Sequence, residues 1–299
     1  MTTAGQHSVA NRDVWKVRRI AFDYADAQIA PASWHKTEPE FARLVEALST
    51  SMPYLEPYLI QTMREAKAKI TDPVLLREVD LYIGQESAHF RQHQKFNDEI
   101  AKTTIHSRPL EAIFQADYKK FREKRSEAFH LAYAEGFEAL TMAVAQTLVE
   151  DRVRLWGGAG AAVTSMILWH MVEEIEHKTV TFDVFEHLHG GYFMRAYGFF
   201  FASGHLLGRA FGGYRRMLRE DGLAHGWSSR WRRWRTIGRF YAGVFRRALR
   251  ILNPWYDPRQ TRDPAWALAW IARYERDGAA FKHLDMARIG EAVPALQGD

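Results

Sequence analysis

The chain has no cysteine in 299 residues. That excludes disulfides, thiolate metal sites and cysteine nucleophiles, and it leaves His, Asp and Glu as the only strong metal ligands. It also lacks a long uninterrupted apolar run. The most apolar stretch, Tyr192 to Tyr214, is broken by Arg195, His205 and Arg209, which makes a poor bilayer span. The opening residues, MTTAGQHSVANRDVWKVRR, have no apolar core of the kind a secretory leader needs, so cytoplasmic residence is the expectation. No nucleotide or flavin fingerprint is found, no histidine is followed by Asp, and the His-Glu-x-x-His zinc motif is missing.

Charge and apolar content are abundant. Hydrophobic residues make up 47% of the chain, enough for a sizeable core. The net charge of +5 hides an asymmetry: twelve arginines between Arg209 and Arg250 face only Glu220 and Asp221, so the rest of the chain is net acidic.

Apolar residues recur three and four apart, and strand-like alternation is scarce, so the expected fold class is all-α. Helices are expected at 40–50, 55–70, 73–100, 110–125, 126–155, 160–188, 192–220, 230–252 and 264–276. The expected organisation is an N-terminal arm (1–39), a metal-binding helical bundle (40–190) and basic, aromatic-rich C-terminal helices packed on it (191–299).

Two of these helices carry a Glu-x-x-His pair, Glu86/His89 and Glu174/His177. Glu86, His89 and His93 lie within about 60° on one helix face, as do His170, Glu174 and His177. Such spacing suits a two-metal site: each imidazole serves one ion while the carboxylate can bridge both. A ferritin-like carboxylate bundle adds one Glu from each of two further helices. The helix HLAYAEGFEALTMAVAQTL supplies Glu135, with Glu138 as its alternative, and STSMPYLEPYLIQTM supplies Glu56. Pro57 places Glu56 at a helix start or a kink. His93 reads as a supporting or core histidine, and His170 as either a ligand or a neighbour of the ligands. Glu173 and Glu176 point outward or support the site, and Glu173 lies close enough in angle to compete with Glu174. His187 and His189 read as surface residues.

The segments QESAHFRQHQKFN, AEGFEALTMA and WHMVEEIEHKTVTFDVFEH resemble the bacterial family of predicted metal-dependent hydrolases, over a span from Val17 to the NPWYDP motif at Asn253. The ligand pattern is also similar to that of the ferritin-like di-iron arylamine N-oxygenases. That resemblance implies a ligand role for His170. Two positions depart from the first family's pattern: Gly136 stands where a histidine is more typical, and Pro57 where an arginine is expected.

The expected cofactor is therefore two metal ions, iron first, with manganese or zinc as alternatives. The expected function is an O2-activating di-metal oxidoreductase acting on a small organic substrate and reduced by a partner protein. Metal-dependent hydrolysis ranks second and a non-enzymatic metal-binding protein third. The segment Arg209–Arg250 interleaves arginine with Trp, Phe and Tyr. It reads as a peripheral contact with an anionic membrane at its inner face or as bracing for packed helices, and nucleic acid is not expected.

Overall fold

The computed structural model describes residues 15–24 and 34–299. Residues 1–14 and 25–33, which include His7 and much of the N-terminal arm, lie outside them. Regular structure among the described residues is helical, with two isolated β-bridges, His35 to Ala159 and Leu284 to Leu296. The helices are α1 (Pro39–Ser49), α2 (Met52–Lys67), α3 (Pro73–Ile100), α4 (Ser107–Lys124), α5 (Glu127–Glu150), α6 (Arg152–Trp156), α7 (Ala161–His177) and α8 (Val180–Leu188). They continue as α9 (Tyr192–Glu220), α10 (Trp227–Arg232), α11 (Arg239–Ala248) and α12 (Ala265–Asp277). No helix among the described residues is long and apolar enough to cross a membrane.

Local chemistry sets the boundaries. Asp72 caps α3 by accepting from the amides of Val74 and Leu75, with Pro73 in the first turn. Ser126 caps α5 through the Phe129 amide. Pro57 lies inside α2, in its second turn, rather than at its start. Three expected helices are interrupted. The 160–188 stretch breaks after His177, where the Lys178 ammonium is drawn to Asp263 (2.6 Å) and to the Thr261 carbonyl (3.1 Å). The 126–155 stretch breaks at Asp151, and the 230–252 stretch contains a π-helical segment over Arg233–Gly238.

Helix α5 is the hub, buried along almost its whole length and packed against α2, α7, α8, α9 and α11. Its crossing with α9 is very close. A Cβ at Gly136 would lie 2.3 Å from the Phe199 nitrogen, and one at Gly198 would lie 2.0 Å from the Ala132 carbonyl oxygen. Glycine is required at both positions for steric reasons, which accounts for Gly136 in this chain. Helix α2 packs on α3 and α5, and α7 packs on α5 and α3, so these four enclose a common space. Residues 15–24, without regular secondary structure, lie against α3 and α7 and bury Trp15, Arg18, Ile20, Phe22 and Tyr24. One hydrophobic core runs from Trp15 to Leu296 and draws on all three segments expected from sequence.

Candidate metal centre

Eight side chains converge in the space among α2, α3, α5 and α7. Helix α2 brings Glu56, α3 brings Glu86, His89 and His93, α5 brings Glu138, and α7 brings His170, Glu174 and His177. Each is at most 3% exposed. Their ligand atoms form four overlapping groups, each within 4.8 Å: Glu56, His93, His170; His89, His170, Glu174; Glu86, Glu138, Glu174, His177; and Glu56, Glu86, His89.

The helical spacing seen in the sequence produces this convergence, and surrounding groups orient the rings. His89 donates from Nε2 to Glu173 (2.8 Å), which also accepts from Arg18 (3.1 Å). That leaves His89 Nδ1 facing Glu174 (3.7 Å) and Glu86 (3.9 Å). His177 donates from Nε2 to the Gln85 side-chain oxygen (2.8 Å). The Gln85 amide is fixed in turn by donating to Glu176 (2.7 Å), whose carboxylate accepts two bonds from Arg18 (2.7 and 2.8 Å). His177 Nδ1 therefore faces inward, 3.0 Å from Glu86 and 3.6 Å from Glu174.

His170 is set by a longer chain. The Asn97 amide donates to the Ser49 carbonyl (3.1 Å), so Asn97 Oδ1 accepts from the Ser49 hydroxyl (2.7 Å). With its proton so used, Ser49 Oγ accepts from His93 Nδ1 (2.7 Å), and His93 Nε2 accepts from His170 Nδ1 (2.7 Å). These tautomers are assigned from the hydrogen-bond pattern. They leave a bare lone pair on His170 Nε2, 2.8 Å from Glu174 and 3.7 Å from Glu56. Two lone-pair-bearing atoms this close need a cation or a proton between them.

Eight atoms of the cluster lack a hydrogen-bond partner among the described residues: both oxygens of Glu56 and of Glu86, one oxygen each of Glu138 and Glu174, and Nδ1 of His89 and of His177. Orphaned polar atoms are rare in folded interiors, and here they cluster at one point. Burial pushes the Glu56, Glu86 and Glu138 carboxyls up, and the neighbouring carboxylates push them further. Burial also opposes ionisation of Glu174, but His177 and His170 outweigh it and hold Glu174 well below the usual range. Burial works against a charged His177, yet Glu174 and Glu86 raise its pKa well above the ordinary imidazole value. His89 and His93 are driven down by burial and then by His170. These protons occupy the lone pairs a metal would take, so loading would release them. Four carboxylates and three neutral imidazoles match the charge of about two divalent ions in a dry site. The donor set fits such ions.

On α5 the structure places the two candidate glutamates differently. Glu138 joins the cluster and Glu135 does not, although both are buried. The surroundings of Glu135 include Arg195 and Glu186, and burial raises its pKa to about 8. Glu173 and Glu176 are bridged by Arg18, while His187 and His189 are exposed. Sequence reasoning missed Arg18, Gln85, Ser49, Asn97 and Tyr82, whose hydroxyl donates to Glu138 (2.7 Å). For Arg18 a signal existed: residues 18–24 alternate buried and exposed, and Arg18 shares the buried register of Ile20, Phe22 and Tyr24.

Beside the cluster lies a cavity of about 100 Å³, walled by apolar residues of α1, α5, α7, α9 and α11 and reaching His93 and His170. Ser49, Thr141 and Tyr241 are the other polar side chains on its wall.

No curated protein and no solved structure matches this chain, and no match supports the likeness to di-iron N-oxygenases. The model of one family, described as predicted metal-dependent hydrolase, matches residues 16–262, and the chain belongs to that family.

Proposed function

We propose that this protein is a metal-dependent hydrolase whose centre holds two divalent ions through Glu56, Glu86, His89, Glu138, His170, Glu174 and His177. The observation that carries the metal centre is the set of eight buried atoms without a hydrogen-bond partner among the described residues, on side chains that form overlapping ligand groups in one space. The family description supplies hydrolysis. We read α2, α3, α5 and α7 as a ferritin-like four-helix bundle around the ions.

Bound there, two ions would polarise an oxygen of the scissile group and make a water acidic enough to attack it. The protein's own groups do the rest. Glu173, Gln85 and His93 hold the three ligand imidazoles in one tautomer each. Glu56 is grouped with His93 and His170, the two members of the cluster that reach the cavity. The cavity wall selects a small, largely apolar substrate and keeps bulk water out.

A second reading is oxidation of such a substrate with dioxygen, the reaction ranked first from sequence alone. One observation favours it: the cavity offers few hydrogen-bond donors for a developing oxyanion, and its apolar wall suits a hydrocarbon. That reading requires an electron-donor protein.

The test is anaerobic reconstitution with iron, manganese or zinc, elemental analysis, and assay with aryl esters of short acyl chains before and after admitting oxygen. Hydrolysis that needs metal and ignores oxygen supports the first reading. An oxygen-dependent near-ultraviolet band without ester turnover supports the second. Absence of metal binding, or metal retained in both Glu138→Gln and His89→Ala, overturns the centre itself.

A further inference from the structure

Among the thirteen large apolar side chains that are exposed in the described residues, ten fall between Phe193 and Trp255. They are ordered along the chain. From α10 through the π-helical segment and α11, Trp227, Trp231, Trp234, Ala242, Phe245 and Leu249 succeed one another at helical spacing on the outer face. Trp227 is 82% exposed, Trp234 64% and Phe245 65%, so these side chains are not core. Monomeric proteins rarely leave so long an apolar stripe in water.

The arginines divide into two sets. Arg232, Arg235 and Arg247 face the protein, where they pair with Glu40, Glu38 and Glu150 and brace the helix. Arg239, Arg246 and Arg250 follow the margin of the stripe, are exposed, and form no ion pair among the described residues. Bracing and surface roles thus coexist on one helix. The opposite face of α11 carries Phe240 and Val244, which wall the cavity beside the metal cluster. Helices α9 and α11 both pack on α5 but scarcely touch one another.

We propose that the α10–α11 face docks on an anionic lipid bilayer. The indoles and Phe245 enter the acyl boundary, and Arg239, Arg246 and Arg250 meet lipid phosphates. Apolar stripe and unpaired arginine margin together match that surface in polarity and charge. Docked so, the cavity wall formed by α11 lies next to lipid, and an apolar substrate has a short path from the bilayer.

The test is co-sedimentation of the purified full chain with vesicles of phosphatidylcholine alone or mixed with phosphatidylglycerol, with metal content measured in parallel. Binding is expected to the mixed vesicles only and to weaken about fivefold for each of Arg239→Gln and Arg246→Gln. Trp231→Ser with Trp234→Ser should abolish it and the accompanying blue shift of tryptophan emission. All four positions are on the surface, so circular dichroism and metal content should not change, which separates this proposal from that of the metal centre. Equal binding to both vesicle types, or binding insensitive to these substitutions, overturns the proposal. So does a concentration-dependent dimer that Trp231→Ser dissociates in protein that ignores vesicles, since a second copy would then cover the stripe.

Discussion

Glu135 and Glu138 stand one helical turn apart on α5, both buried, yet the structure gives the same substitution opposite consequences at the two positions. In Glu138→Gln a carboxylate is lost from the cluster, and metal content should fall well below the roughly two ions expected on charge grounds. In Glu135→Gln metal content should stay as in the wild type. Stability should respond to pH there instead. The Glu135 carboxyl is raised from 4.5 to about 8, with burial as the first cause. A raised pKa means that the folded state binds the proton more tightly than the unfolded state. The stabilising contribution is therefore full below pH 4.5 and is lost as pH rises towards 8. The loss is about 1.4 kcal/mol per pH unit, or about 4 kcal/mol between pH 5 and pH 8. Urea denaturation of metal-free wild type and Glu135→Gln at pH 5, 6, 7 and 8 reads this directly. The difference between them should grow in the variant's favour across the series by up to that amount. Any fixed cost of seating the amide shifts every point equally. A difference flat with pH would refute the buried neutral carboxyl, and loss of metal in Glu135→Gln would refute the assignment of α5.

Three further outcomes are expected. His93→Gln should weaken metal binding about 10- to 100-fold by releasing the His170 tautomer, as measured by competition with a chelator, while far-ultraviolet circular dichroism stays unchanged. Gly136→Ala should destabilise the fold by about 3 kcal/mol in urea titration, because the new methyl meets α9 backbone that cannot yield. Arg18→Met should cost about 3–5 kcal/mol by stranding Glu173 and Glu176, and adding Glu176→Gln should restore part of that loss.

The helices were legible in the sequence because their apolar periodicity is strong. The two Glu-x-x-His pairs were legible because one face of each helix collects the chemistry. The α5 member of the cluster was not. That helix is buried on nearly every side, so no solvent-facing stripe indicates which of Glu135 and Glu138 turns inward. At the break after His177, Lys178 reaches Asp263, a partner 85 residues away that no local pattern announces. Ser49 and Asn97 were missed for a related reason: their role exists only through His93, across two helices. Trp227, Trp231 and Trp234 admitted both core and surface readings, and only their exposure separates the two.

The position of Arg18 bears on how the centre is made. Its guanidinium joins Glu173 to Glu176, and the rings of Trp270 and Tyr274 on α12 lie over it at 5.9 and 5.6 Å. Through those two glutamates it steadies His89 and, by way of Gln85, His177. A residue near the start of the described chain is thus clamped by one of its last helices, with the ligand supports between. During synthesis, which delivers the N-terminal part first, the four ligand helices emerge well before α12. Until α12 docks, the clamp on Arg18 stays open and the imidazoles lack their fixed orientation. Metal capture should therefore be a late, post-translational step, and a chain truncated before Trp270 should make the ligands yet fail to hold the ions.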